Sequence, residues 1–194
     1  MDTMGVYFSN PFLLSNGNWR NECPALHLNR ISSTNFITLI KAMPRIQYSV
    51  TINASAHKVY TTMLGLTNKA DYNYWTSAFN PTSTYEGSWQ QGSKIYFVGM
   101  DEQGKRRGMV SEIKENKEAE FVSIKHVGFV EGEQEITTGE EVEKWTGGLE
   151  NYHFQEEHNQ TLVTVDIDVI DEYLDYFNDT YPKALAKLKE IAEK

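Results

Sequence analysis

The chain ends in a strand-like segment followed by a long amphipathic helix, and this pair constrains the fold more than any other feature. Residues 161–170 alternate strictly, with their apolar side chains on one face and Thr164, Asp166 and Asp168 on the other, solvated face. The segment that follows carries apolar residues at steps of three and four, which form one helical face: Leu174, Phe177, Tyr181, Leu185, Leu188 and Ile191. This order predicts an α+β domain in which the helix packs on one face of a sheet.

The preceding sequence supplies the other strands of this sheet. Residues 45–54 alternate with period two, and two short helices follow, the first capped by Ser55 and the second near residues 68–78. Turn residues then separate further strands, which we predict at 82–87, 94–101, 106–116, 120–130 and 149–157. Residues 131–144 contain six glutamates and are expected to form an exposed loop. The prediction is therefore a curved antiparallel sheet of about seven strands wrapped on the C-terminal helix.

Several short motifs, taken in order, carry a resemblance to a known family. The most informative is TYEGSWQQGSKIYF at 84–97, where two strand-like runs flank a glycine-containing turn. The others are YSVTINAS at 48–55, Trp75-Thr76 with Phe79, SIKHVG at 123–128, LENYHF at 149–154 and DYFNDTYPKALAKLKE at 175–190. Together they resemble the START-like (SRPBCC) superfamily of the birch-pollen allergens, and within it the branch named after the activator of the 90-kDa heat-shock-protein ATPase. The resemblance covers roughly residues 43–194 and implies a helix-grip fold.

A helix-grip fold implies a cavity, because one helix laid across a curved sheet cannot fill its concave side. START-like domains bind apolar small molecules in that space. The resemblance therefore leads us to expect a soluble, cytoplasmic module that binds a small hydrophobic or amphipathic molecule, such as a lipid. Two alternatives stay open: a co-chaperone-like module with a protein partner, and an enzyme of the polyketide cyclase or aromatase kind. A binding role is favoured over an enzymatic one, and no catalytic residue is assigned.

Composition and charge argue against several other classes of function. The formal net charge is -9 and the sequence has no basic stripe, which disfavours binding to nucleic acid or to an anionic membrane surface. No apolar run approaches the roughly 20 residues of a membrane span. The single cysteine, Cys23, excludes an intrachain disulfide, and no two histidines share metal-ligand spacing. Because the sequence also contains neither a GxSxG nucleophile elbow nor a phosphate-binding glycine loop, we predict no metal and no cofactor.

Residues 1–42 differ in character from the rest of the chain. They hold few charges, show no clear period and contain Asn-Pro and Ser-Asn-Gly breakers. We expect a disordered extension, or a stretch upstream of a true start at Met43, because unpatterned termini are usually disordered. The predicted domain therefore spans residues 43–194.

His126 is the most interesting titratable residue of the predicted domain. Strand parity in residues 120–130 sends His126 to the inner face, and in the next strand Glu150 and Tyr152 share that face. If the acidic loop closes this hairpin symmetrically, we expect His126 roughly opposite Asn151 and near Glu150 or Tyr152. There it serves either as an acid–base or ligand-orienting group or as a structural histidine. Ordinary core packing is the alternative for the apolar members of the site. The residues that we predict to bind the ligand are Trp75, Phe79, Met109, His126, Glu150, Tyr152, Phe177 and Tyr181.

Overall fold

A curved antiparallel sheet grips one long helix in residues 43–194, the part of the chain that the computed structural model describes. The strands are β1 Arg45–Ile52, β2 Thr84–Gly87, β3 Lys94–Met100, β4 Arg106–Lys117, β5 Phe121–Glu131, β6 Gln134–Ile136, β7 Leu149–Glu157 and β8 Gln160–Asp168. The helices are α1 Ala56–Met63, α2 Lys69–Thr76, α3 Glu140–Glu143 and α4 Leu174–Ala192, and a single 3-10 turn, Asp171–Tyr173, leads into α4. The strand order is β1-β8-β7-β5-β4-β3-β2, and β6 pairs with β5. This is the predicted helix-grip fold, with eight strands rather than seven.

Helix α4 lies against the concave side of the sheet, where it contacts β1, α1 and α2. Its buried face contains Phe177, Tyr181, Leu185 and Leu188, as the sequence predicts, and the helix continues through Pro182. The inward side chains of β8 are buried opposite it. Burying each large apolar side chain contributes about 1.5–3 kcal/mol, so the helix is held mainly by this face. No helix within residues 43–194 is long and apolar enough to cross a lipid bilayer.

The two short helices close one end of the concave side. The side chains of Ser55 and Asn68 cap α1 and α2 by accepting backbone hydrogen bonds, as these residue types favour. Gly65 joins the helices with φ +64°, and a Cβ at that position would lie 2.8 Å from the Cβ of Tyr72, so only glycine fits without a shift. The indole of Trp75 donates a hydrogen bond of 2.8 Å to a backbone carbonyl at the end of α1. The helices therefore form one unit with a fixed aromatic face.

The segment 131–144 is largely exposed, as predicted, but it is not simply a loop. It forms β6 and α3, and two of its carboxylates find cationic partners on the neighbouring strands. Arg107 Nη1 lies 2.8 Å from the Glu131 carboxylate, and Lys94 Nζ lies 2.8 Å from that of Glu135. Glutamate-rich composition favours solvent exposure, but pairing with β5 and these ion pairs order the segment instead.

A β-bulge in β5 comes directly after His126. Ser111 of β4 pairs with His126, whereas the adjacent Val110 pairs with Gly128, so Val127 is the extra residue. Before the bulge the side chains of even-numbered residues face the concave side, while Val127 packs with a separate group of valines elsewhere on the sheet. His126 is the last inward residue before the parity changes, and it is 8% exposed. The inward direction predicted for this histidine is the direction observed.

Candidate ligand-binding cavity

A cavity of about 100 Å³, partly open to solvent, lies between α2, α4 and the concave face of the sheet. Cavities of this order hold about one aromatic ring. Half of the wall residues are aromatic. The wall consists of Tyr72, Trp75, Thr76, Phe79, Ser83, Phe97, Met109, His126, Trp145, Glu150, Tyr152, Ile167, Asp168, Val169, Ile170, Tyr173, Phe177 and Tyr181.

The residues predicted from the sequence to form the site all lie in this wall. Helix α2 and the turn after it supply Trp75 and Phe79, and α4 supplies Phe177 and Tyr181. The sheet supplies the other four from β4, β5 and β7: Met109, His126, Glu150 and Tyr152. The structure therefore brings the predicted residues together around one space, and their contact with a ligand remains a prediction.

Glu150, on β7, forms the centre of the polar end of the cavity. Its Oε1 accepts a hydrogen bond of 2.6 Å from the hydroxyl of Tyr152 and a second one from the hydroxyl of Tyr181. Its Oε2 lies 3.4 Å from Nε2 of His126, which is long for a hydrogen bond. Side chains from β5, β7 and α4 therefore converge on one carboxylate group.

These contacts determine the charge of the cluster. Burial by itself raises the pKa of Glu150, but hydrogen bonds and charge from His126, together with hydrogen bonds from Tyr152 and Tyr181, outweigh it and leave the pKa below its ordinary value. Burial and the nearby carboxylate raise the pKa of both tyrosines well above the ordinary value. Near neutral pH Glu150 is therefore an anion, and the two tyrosines are neutral donors.

His126 is held on both sides of its ring. Its Nδ1 lies 2.9 Å from the hydroxyl oxygen of Ser111, and its Nε2 faces Glu150. When Nε2 carries the proton, the Ser111 hydroxyl donates to Nδ1 and fixes that tautomer. The predicted position opposite Asn151 is wrong, because the backbone N–H of His126 bonds to the carbonyl of Gly148 at 3.0 Å. The prediction assumed a symmetric loop between β5 and β7, whereas β6 and α3 occupy that loop.

The series Ser111, His126 and Glu150 has the residue types of a hydrolase triad in the wrong place for that chemistry. A nucleophile must face its substrate. Ser111 is 0% exposed and is not part of the cavity wall, so its hydroxyl does not face a ligand in the cavity. This arrangement orients the histidine rather than performing acyl transfer.

Tyr181 joins the polar end of the cavity to its aromatic wall. Its ring stacks on Tyr48 with centroids 4.8 Å apart and planes at 13°. Phe79 meets the same ring edge-on at 4.9 Å, and Phe177 lies at 5.8 Å. Such aromatic pairs contribute about 0.5–1.5 kcal/mol each beyond area burial. The packing fixes the ring so that its hydroxyl stays directed at Glu150.

Sequence reasoning missed several wall residues. Tyr72 lies one helical turn before Trp75 on α2, and that spacing was a signal that could have identified it. Trp145 is 8% exposed and follows α3, but the glutamates around it indicated solvent and gave no such signal. Tyr173, in the 3-10 turn before α4, also had no regular pattern around it.

Asp168 corrects the prediction that the carboxylates of β8 are simply solvated. Its side chain is 15% exposed and bonds to Arg45, with Nε at 2.7 Å. Burial raises the pKa of Asp168, but the hydrogen bond and charge of Arg45, together with the hydrogen bond from the backbone N–H of Leu149, outweigh it, so that the pKa is lowered. Within the described residues no group of three His, Cys, Asp or Glu side chains is placed to hold a metal ion.

A sheet that grips one helix around an internal cavity defines the helix-grip fold, and comparison with solved structures agrees. The Aha1 dimer from Colwellia psychrerythraea has 20% sequence identity, with 78% of this chain and 97% of that chain covered at a TM-score of 0.54. Protein NE0264 from Nitrosomonas europaea has 13% identity, with coverage of 77% and 94% and a TM-score of 0.58. CalU16 from Micromonospora echinospora has 15% identity, with coverage of 76% and 73% and a TM-score of 0.51.

These likenesses concern the fold, since identities this low carry no information about activity. The Aha1 structure is one of the solved structures that share this fold. No protein-family model matches the sequence, and no curated protein matches it. What distinguishes this domain is therefore its own cavity, with an ionised glutamate at one end of an aromatic wall.

Proposed function

We propose that the protein binds a small, mostly apolar molecule with one polar end in the cavity between the sheet and α4. The observation that carries this proposal is the cavity itself: about 100 Å³ of space with aromatic walls and a hydrogen-bonded carboxylate at one end. A pocket of this type, largely apolar with a few convergent polar groups, is typical of small-molecule sites. The polar end would orient the ligand, and the aromatic wall would supply most of the affinity.

The contacts of the polar cluster support binding rather than catalysis. His126 and Glu150 form the acid–base pair that the cyclase-like alternative would use. Both are already engaged with protein groups, His126 with Ser111 and Glu150 with two tyrosines. This engagement favours a fixed, orienting role. The co-chaperone-like alternative involves a surface rather than a cavity, and it is tested by the same purification.

Native mass spectrometry after mild purification is the direct test of the proposal. The expected result is a co-purified small molecule, released when the protein is denatured. A protein that co-purifies with no small molecule and also binds no added one-ring compound would contradict a binding role. A stoichiometric ATPase partner in the same preparation would favour the co-chaperone-like alternative, and turnover of a cyclisation substrate would favour the enzyme.

A matched pair of variants checks that the molecule occupies this cavity. Ser83 is half-buried in the wall, so Ser83→Phe places a ring in the cavity and should remove the bound mass. The neighbouring Thr84 is also half-buried but is not part of the wall, so Thr84→Phe should retain the ligand. Loss of the ligand from both variants, or from neither, would place the ligand elsewhere.

A further inference from the structure

We propose that the cavity selects its ligand by the end group, taking a neutral or cationic hydrogen-bond donor, such as a hydroxyl or a protonated amine, and rejecting carboxylates and phosphates. This inference rests on the proposed function and specifies its ligand class. It follows from the hydrogen-bond acceptor positions of Glu150 that protein groups already occupy, and from the charges present in the cavity wall.

The two oxygens of Glu150 are not equally satisfied. A carboxylate offers about four acceptor positions. Oε1 accepts from Tyr152 and from Tyr181, whereas Oε2 has only the Nε2 of His126, at 3.4 Å. Oε2 therefore retains acceptor capacity at the edge of a cavity that Glu150 itself lines. A group that fills this position has to donate a hydrogen, which a deprotonated acid lacks.

The charges of the wall lead to the same ligand class. Its ionisable residues are His126, Glu150 and Asp168 together with the tyrosines, and the wall contains no lysine or arginine. Asp168 is already paired with Arg45, through Nε at 2.7 Å and Nη2 at 2.9 Å. The contacts of Glu150 are neutral tyrosines and one histidine. An anionic end group would lie beside an ionised carboxylate at low dielectric, and His126, the one wall residue besides the acids and tyrosines that can carry a charge, already faces Glu150, while an ammonium group would be attracted.

Tyr72 provides a second polar contact for such an end group. The residue is 5% exposed and lines the cavity. Its hydroxyl has no hydrogen-bond partner among the described residues, and burial, followed by the charge of Glu150, raises its pKa well above the ordinary value, so the hydroxyl keeps its proton. A ligand hydroxyl in the cavity that donates to Glu150 and accepts from Tyr72 would satisfy both groups.

Four one-ring probes that differ only in the end group test this proposal: toluene, benzyl alcohol, benzylamine and benzoate. Binding to the full-length protein near neutral pH would be followed by amide chemical shifts in a titration. The expected order is benzyl alcohol and benzylamine about tenfold tighter than toluene, and benzoate weaker than toluene. Benzoate that binds as tightly as benzyl alcohol would overturn the end-group selectivity. Equal binding of all four would also overturn it while leaving the proposed function intact, and binding of none would overturn both.

Two variants and a control assign the selectivity to the residues named. Glu150→Gln removes the charge and should reduce the benzylamine-to-toluene preference by about tenfold. Tyr72→Phe, which leaves Glu150 in place, should reduce the benzyl alcohol preference about threefold and serves if Glu150→Gln fails to fold. Glu133→Gln, at an exposed position outside the wall, should retain both preferences. If the preferences between probes are unchanged both in Tyr72→Phe and in a folded Glu150→Gln protein, groups other than these two residues select the end group of the ligand.

Discussion

The hydroxyl of Tyr181, on α4, donates a hydrogen bond to the carboxylate of Glu150, on β7, 31 residues earlier in the chain. This contact ties the helix to the sheet across the cavity. Because one partner is ionised and both are buried, the bond belongs to the stronger class of hydrogen bonds.

Replacing Tyr181 by phenylalanine tests how much this hydrogen bond contributes to stability. The variant keeps the ring that stacks on Tyr48 and loses only the hydroxyl. We expect the free energy of unfolding to fall by about 1.5–3 kcal/mol, measured by urea denaturation. Tyr74→Phe is the matched control, since Tyr74 is 39% exposed and its bond to Glu190 lies at the surface, where such contacts contribute little. An equal loss of unfolding free energy in the two variants would argue that the hydrogen bond from Tyr181 to Glu150 does not stabilise the packing of the helix on the sheet.

The dependence of the unfolding free energy on pH should reflect the ionisation of Glu150. Its pKa is lower in the folded protein than its ordinary value, so its stabilising contribution is complete above about pH 4.5 and is lost as the pH falls through the folded value. The difference in unfolding free energy between wild type and Glu150→Gln should therefore be constant near neutral pH and shrink below about pH 4.5.

His126, Tyr72, Tyr152 and Tyr181 are the other titratable groups at this site, and the tyrosines stay neutral throughout. His126 itself supplies part of the interaction that lowers the pKa of Glu150, so the histidine is kept in both proteins of the comparison. A difference that grows as the pH falls would mean that folding raises the pKa of Glu150.

Phe177 should contribute less to stability than its burial suggests, because one side of it faces the cavity. It is 7% exposed and lies in the wall, whereas Leu188 of the same helix is 0% exposed and lies outside the wall. Leu188→Ala should cost about 2–5 kcal/mol, and Phe177→Ala should fall below the 3–5 kcal/mol typical of a tightly packed phenylalanine. A cost for Phe177→Ala at the top of that range, in protein without ligand, would show that the cavity is filled by packing.

His126 should tune ligand binding without being required for folding. His126→Gln removes the contact with Oε2 and should shift the benzyl alcohol-to-toluene preference about threefold or more, with little change in the circular dichroism spectrum. Ser111→Ala removes the hydroxyl that contacts Nδ1 of the imidazole, so imidazole nitrogen shifts should show a changed tautomer ratio of His126. Turnover of a cyclisation or hydrolysis substrate that disappears with His126→Gln would contradict this role.

The domain boundary at Met43 remains a prediction, because residues 1–42 lie outside the described part of the chain. A shortened protein, residues 43–194, should unfold within a few degrees of the full chain in a thermal melt. A large loss of stability would show that the first 42 residues pack on the domain.

The elements with regular patterns were predictable from the sequence. Alternation in β8 and the apolar face of α4 each depend on local geometry, so Tyr181 and Phe177 were placed correctly. The cross-strand neighbour of His126 was not, since the connection between β5 and β7 contains β6 and α3, and the register of β5 with β7 is set by tertiary pairing. Trp145 was missed for the same reason. Composition describes the average environment of a segment, and its individual contacts depend on the tertiary fold.

The pairing of the first described strand with the last has a consequence for how the protein is made. Arg45 of β1 bonds to Asp168 of β8, 123 residues later, so β1 lacks its sheet partner until almost the whole domain has left the ribosome. Long-range pairing of this kind slows folding and exposes an unpaired strand edge meanwhile. The carboxylate site is completed later still, because Tyr181 follows β8. A nascent chain that stops before α4 would therefore have most of the sheet and no finished binding site.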